Sequence, residues 1–394
     1  MQDPGLNGSW VHHKDPWRIG NRNGVNTTGD RMPTFVKKYL LPGFIFQSIV
    51  IGGGYGTGRE LVEFFLRHGP VNGYLGILIA TLIWSVVLAI CFELARLGKN
   101  YEYRTFVAAL LGKGWIGFEV VYIASLVITI AVIGSASGEL FFEIIGWPRI
   151  WGTVLMMCLV GILAFRGSAL IEKVFSFWSV TLYAFYLSLI VLVFWSFGDR
   201  VLETASLYVE DTQWALGGIK YAAYNLGAVP AMLFSLRYLE KRKEAVISGL
   251  LAGPIAIIPG VFVFTAMLSQ YPEVESAALP INTLLDSLGI PVFQLMFQLI
   301  LFGTFIETGT GMIHGFNERI AGVYHERGRE MPRFLRLGLA LGFLVLAIFF
   351  ADRFGLIKLI AEGYGMITWG YWIFFVLPVL TLGIWRISKL SSRS

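Results

Sequence analysis

Gly52-Gly53-Gly54-Tyr55-Gly56-Thr57-Gly58-Arg59-Glu60 puts five glycines and two charges into an apolar run long enough to cross a membrane. A continuous helix satisfies its own backbone in lipid. Irregular backbone at that depth is tolerated only inside protein or against a wet cavity. Glycines let a ligand approach the main chain closely. An outer half-helix starting at 57–60 would present free N–H groups and a positive dipole end, which suit a carboxylate. An inner half ending at 51–54 would present carbonyls, which suit a cation or ammonium. Further charges follow the break, Glu63 and Arg67 one and two turns on. Charges at this depth face the interior or a cavity. Arg59 and Glu60 fit two roles: an ion-pair network that gates the half-helix, or, for Glu60, a direct ligand for substrate or proton. Lys220 stands at similar depth in a later span, where pairing with Glu60 or Glu63 would make an outer gate.

The elements that must position these groups are membrane helices. The chain has 394 residues, 56% hydrophobic and only 14% charged, with mean hydropathy +0.66; soluble chains carry about 25% charged residues. Ten apolar runs meet the bilayer length. They lie near 36–66, 72–96, 115–144, 149–166, 173–197, 215–237, 244–269, 290–318, 334–352 and 358–386. Gly363 and Gly365 mark a transition within the last. With the N-terminus placed in the cytoplasm, 24 of the 31 Lys and Arg fall inside and 5 outside. That asymmetry sets both termini in the cytoplasm. The net charge of +5 then reflects inner loops rather than a nucleic-acid partner. Residues 1–33 form a polar tail without the apolar core of a signal peptide, so the first span serves for insertion. Residues 34–394 form the membrane domain.

The sixth span reads Lys220-Tyr221-Ala222-Ala223-Tyr224-Asn225-Leu226-Gly227-Ala228-Val229-Pro230. Pro230 removes a helix donor and crowds the preceding turn. By itself this fits a proline kink as well as a break. Spans one and six, however, hold corresponding places in two five-helix halves, about 36–197 and 215–386, that run in opposite senses. Interrupted helices at matching positions point to a midplane binding site.

Five plus five helices with broken first and sixth members resemble the LeuT-type fold of the amino acid–polyamine–organocation transporters. The glycine motif followed by Arg59-Glu60-Leu61-Val62-Glu63-Phe64-Phe65 resembles the YkvI family of bacterial membrane proteins. Members carry a similar glycine-rich stretch ending in Gly, any residue, Glu, and then a Phe pair. The match is specific in this segment; elsewhere it is one of span order and length. The resemblance implies a cation-coupled secondary transporter in the bacterial inner membrane, working by alternating access on a small amino acid or a related zwitterion or organocation. It implies substrate contacts at Gly53, Gly54, Gly56, Thr57, Tyr224, Asn225 and Gly227. Sodium-coupled members of the fold complete an ion site from the eighth helix, with a carbonyl at i and hydroxyls at i+3 and i+4. Taking Thr304 as i gives Glu307 and Thr308. Thr308 fits and Glu307 departs from the pattern. A carboxylate there could neutralise Na⁺ or carry a proton, or bond a neighbouring Thr or His314. Sodium and proton both stay open, and no cofactor beyond Na⁺ is implied.

Other segments carry less. Gly134-Ser135-Ala136-Ser137-Gly138 suits close helix packing, with Ser135 or Ser137 facing the site as the lesser reading. Tyr122 and Tyr183 could cap a site. Cys91 and Cys158, both in apolar segments, make no metal or redox motif, and His12-His13 sits in the polar tail. No GxSxG, HExxH or P-loop is present, which argues against an enzyme. A channel, or a transporter-like sensor or scaffold without coupled flux, is the alternative to a carrier.

Overall fold

The computed structural model describes residues 33–52, 54–166 and 168–392, and every element among them is helical. A π-helical turn, Val36–Leu40, leads into α1 (Leu41–Ile51). One turn, α2 (Gly54–Thr57), separates it from α3 (Arg59–Phe64). Then come α4 (Pro70–Gly98), α5 (Tyr103–Leu111), α6 (Trp115–Ile145), α7 (Arg149–Arg166) and α8 (Ser168–Ala205). The second half has α9 (Trp214–Asn225), α10 (Val229–Met232), α11 (Arg242–Met267), α12 (Pro280–Leu288), α13 (Pro291–Glu326) and α14 (Arg333–Lys358). After a π-helical stretch come α15 (Gly365–Tyr371) and α16 (Ile384–Ser391).

Six stretches of the described residues are long and apolar enough to cross a membrane: Pro70–Gly98, Tyr103–Ile145, Thr181–Ala205, Arg242–Gln270, Pro291–Tyr324 and Phe334–Leu390. Arg149–Leu163 is a shorter apolar helix. Phe334–Leu390 is not one rod. Gly355, at φ 70° and ψ 168°, turns the chain within it, a conformation that L side chains avoid and glycine adopts freely. The transition expected at Gly363 and Gly365 thus falls earlier, and both of those glycines are helical. The expected polar tail, apart from Pro33, lies outside the described residues.

Small residues set the helix spacing. A Cβ on Gly249 of α11 would stand 2.3 Å from Ala89 Cα of α4, and one on Gly253 would stand 2.4 Å from Ser85 Oγ. Gly43 lets α1 approach Ala252 and Ile255 of α11, where the Gln47 amide also donates to the Ile255 carbonyl. Gly134 and Gly138 let α6 lie against Met157, Thr153 and the Arg149 carbonyl of α7. The Gly134–Gly138 stretch is therefore a packing surface. Leu75, Leu78, Leu82 and Val86 of α4 are exposed at helical spacing, a stripe suited to lipid. Trp84 points inward. It is fully buried, meets Phe46 edge-on at 5.2 Å and donates its indole N–H to the Ala222 carbonyl at 3.0 Å. This joins α1, α4 and α9 at the middle of the bundle.

Candidate functional site

The first helix is interrupted as its glycines require. α1 stops at Ile51. Gly58, at φ 74°, reverses the local twist, and α3 starts at Arg59. Gly53 lies outside the described residues. The donors of the break are partly taken by the chain itself: Gly58 N–H donates to the Tyr55 carbonyl at 3.2 Å, and Arg59 N–H donates to Thr57 Oγ1 at 3.1 Å.

Glu60 is buried, and its carboxylate folds back over the break. A Cβ on Gly54 would stand 2.5 Å from Glu60 Oε2. The Tyr224 hydroxyl donates to that same oxygen. Tyr224 is stacked on Tyr364 (4.6 Å, 15°), and Phe64 and Tyr221 close the group at 5.7 and 5.5 Å from Tyr224. Gly54, Glu60 and Tyr224 therefore meet. Of the other expected contacts, Gly56 and Gly227 stand apart from that group. Gly56 faces Leu301 and Tyr186, and Gly227 lies under the Tyr371 ring. The Asn225 amide donates to the Tyr221 carbonyl of its own helix.

On the inner side of the break, Thr308 Oγ1 lies 2.5 Å from where a Cβ on Gly52 would stand. The end of α1 and α13 thus meet at a hydroxyl, and only glycine fits opposite it. Thr304 is buried and donates its hydroxyl to the Ile300 carbonyl at 2.9 Å. Glu307 is half-buried. Among the described residues it forms neither a hydrogen bond nor an ion pair, so the bond to a Thr or His314 is not made.

The second interruption differs from the first. From α9 the chain tightens into 3-10 turns at Leu226–Ala228, loosens for α10, and tightens again at Leu233–Tyr238. Every residue flanking these turns up to Met232 and Leu233 stays in the right-handed helical region. The expected unwound break is thus a change of helix type. Pro230 falls in the first turn of α10, where its missing donor goes unused.

The gate also differs from expectation. Both oxygens of Glu63 are held from its own helix, by Arg59 at 3.2 Å and by Arg67. Glu60 is engaged by Tyr224. Among the described residues, no ion pair joins Lys220 to either carboxylate. Lys220 instead lines a cavity of about 340 Å³ with Glu63, Arg67, His68, Asp211 and Gln213. Arg59 turns outward, donating to the carbonyls of Glu275 and Ala277 at 2.7 and 3.0 Å. That ties the 271–279 loop to α3. Beside the cavity, His68 Nδ1 lies 2.7 Å from Asp211 Oδ2. The Gln213 backbone N–H and His68 hold the Asp211 carboxyl below the usual range.

At the other end of the bundle Arg319 of α13 pairs with Glu119 of α6 and lies over Tyr103 at 3.7 Å and Tyr122 at 4.9 Å. Tyr122 belongs to this cluster, and Tyr183 donates to Gln47 at 2.5 Å. Neither caps the Glu60 group. Tyr364 and Phe64 are the site residues that sequence reasoning missed. The Gly363-Tyr364-Gly365 triplet, an aromatic between two glycines, was the available signal.

This architecture is that of solved membrane transporters. MhsT in complex with L-phenylalanine superimposes with a TM-score of 0.53, at 16% identity, over 88% of this chain and 97% of that one. The manganese transporter of Eremococcus coleocola, in complex with an aromatic bis-isothiourea compound, gives 0.51, at 14% identity, over 93% and 80%. The fold is therefore the LeuT type that the order of spans and their interruptions resembled, in a multi-pass membrane protein. By sequence the chain is similar to the membrane protein YkvI of Bacillus subtilis (strain 168), 25% identical over 279 residues, which are 70% of this chain and 79% of that protein. No family model matches the chain.

Proposed function

We propose that this protein is a cation-coupled secondary transporter that moves a small amino acid, or a related zwitterion or organocation, by alternating access. The observation that carries the reading is the interrupted first helix, which has Glu60 folded over Gly54 on one side and Thr308 pressed against Gly52 on the other. An interrupted helix in a membrane exposes backbone groups for ligands. Here a buried carboxylate and a hydroxyl stand beside them. The substrate region proposed with it is Gly54 and Tyr224, with Gly53, Gly56, Thr57, Asn225 and Gly227 as further candidate contacts. Thr308 meets the end of α1 at Gly52, and with Thr304 and Glu307 of the same helix it would couple Na⁺ or a proton. Arg59, paired with Glu63, holds the outer side, with Glu60 beside it and Lys220 in the neighbouring cavity.

The topology proposed with it is ten crossings in two inverted five-helix repeats, about 36–197 and 215–386, with both termini in the cytoplasm of a bacterial cell. The six long apolar stretches supply most of these. The reading counts with them the interrupted first helix, α9 with the tightened turns that follow it, Arg149–Leu163, and the division of Phe334–Leu390 at Gly355. The phenylalanine complex of MhsT favours an amino acid as cargo. A divalent metal is less favoured, because among the described residues no group of three or more His, Cys, Asp and Glu gathers. The test is uptake of radiolabelled amino acids and amines into proteoliposomes under separately imposed Na⁺ and pH gradients. Accumulation driven by one gradient supports the reading. Absence of flux under both removes it.

A further inference from the structure

The surroundings of Glu60 narrow the cargo. Its side chain is almost fully buried, and among the described residues the Tyr224 hydroxyl is the one donor on it, with no cation paired to it. A carboxylate offers about four lone-pair positions. A buried charge left unpaired is expensive, so such a group calls for a proton or a positive ligand. The walls decide between these. Phe64, Tyr221, Tyr224 and Tyr364 form a continuous aromatic group with neighbouring centroids 4.6–5.7 Å apart. Tyr55, Tyr221 and Tyr364 all stand within electrostatic reach of the Glu60 charge. Aromatic faces beside a carboxylate bind ammonium groups through charge and cation–π attraction together. Conversely, the position that would receive a substrate carboxylate is filled. Glu60 occupies the space over Gly54, and the Arg59 and Gly58 N–H groups are bonded within the chain. A zwitterion would place its carboxylate against Glu60.

From this juxtaposition we infer that the site takes an organic cation, a primary or quaternary ammonium without a carboxylate, and that Glu60 is its specificity-determining counter-ion. The Tyr224 hydroxyl stands in for the ligand's N–H and is displaced when the cation enters. A divalent metal fits less well, because one carboxylate and one phenol leave most of its coordination shell empty.

The inference rests on the transport reading for the role of the site, but equilibrium binding tests it independently. Purified full-length protein in detergent is titrated with phenethylamine and with L-phenylalanine, which differ by one carboxylate, and with MnCl₂. Phenethylamine is expected to bind, with L-phenylalanine at least about tenfold weaker. Glu60→Gln should weaken the amine by roughly thirtyfold or more, while Glu60→Asp, which keeps the charge, should retain part of the affinity and so report on folding. Tyr224→Phe, which removes the hydroxyl the amine must displace, should raise amine affinity. Equal or tighter binding of L-phenylalanine would overturn the inference. So would an amine affinity unaffected by Glu60→Gln, the result expected if this carboxylate only carries a proton. Glu60-dependent binding of Mn²⁺ in preference to the amine, or no binding of either organic probe to the wild-type chain, would also overturn it. Glu60-dependent amine binding without flux would remove the transport reading alone. Amino-acid flux indifferent to Glu60→Gln would remove this inference alone.

Discussion

Gly217→Ala is the sharpest mechanical test of how α3 and α9 are held together. A Cβ at Gly217 of α9 would stand 2.1 Å from the Phe64 carbonyl oxygen at the end of α3 and 3.2 Å from His68 Nε2. The first neighbour is backbone and cannot rotate away. Ordinary contact begins near 3.4 Å, so the two helices must part by about 1.3 Å along that line. Overpacking of this kind costs typically about 1–3 kcal/mol. The separation also pulls Tyr224, two turns along α9, away from Glu60. The expected outcome is a lower thermal midpoint of the purified protein in detergent together with reduced uptake in proteoliposomes. Gly311→Ala is the matched control, since nothing lies within 4 Å of its Cβ, and it should change neither. If Gly217→Ala matched the wild type in both assays, the close approach of α3 and α9 would be refuted, and the description of the Glu60 group with it.

Tyr224→Phe removes the one donor that the described residues offer to the buried Glu60 carboxylate, a bond worth about 1.5–3 kcal/mol; the ligand-free thermal midpoint should fall and recover when a bound amine replaces the donor. Glu307→Gln and Thr308→Ala should alter the ion dependence of uptake without abolishing substrate binding, and unchanged coupling in both would remove the ion-site assignment. Asp211 titrates below the ordinary carboxylate range of about 3.9, so its contact with His68 and Gln213 stabilises the fold above that range and is lost as pH falls through the lowered value. Asp211→Asn should therefore flatten the acid limb of a plot of thermal midpoint against pH, and an unchanged limb would refute the contact. Arg59→Ala frees the Glu275 and Ala277 carbonyls, and limited proteolysis within 271–279 should accelerate while cleavage elsewhere stays constant.

The first interruption could be located from sequence because it is written in residue types: five glycines in nine positions have no better use at membrane depth. Its consequences were harder to read. Which way Glu60 turns depends on the absent Cβ of Gly54 and on a tyrosine 164 positions away, and neither leaves a trace in local sequence. Lys220 looked like a partner for Glu63 because charge and depth matched, but Arg59 and Arg67, four residues to either side, saturate Glu63 first. Pro230 signalled a disturbance without revealing its kind, since a proline in a first helical turn disrupts little. Gly355 carries the left-handed turn that Gly363 and Gly365 seemed to offer. A lone glycine and a paired one look alike until the backbone fixes which must bend.

The helical rod that begins with α9 has a length reserve. Its 3-10 turns hold 3 and 6 residues, and a 3-10 residue rises about 2.0 Å where an α residue rises about 1.5 Å. Rewinding both stretches would shorten the rod by about 4.5 Å with no residue leaving the helical region and no strand of backbone laid bare. The first helix, cut at Gly58, has no such continuity. The bundle therefore sets a helix break beside a continuous rod whose length depends on how tightly it is wound. Tyr224, just before the tightened turns, and Glu60, just after the break, are the residues that bond across the two.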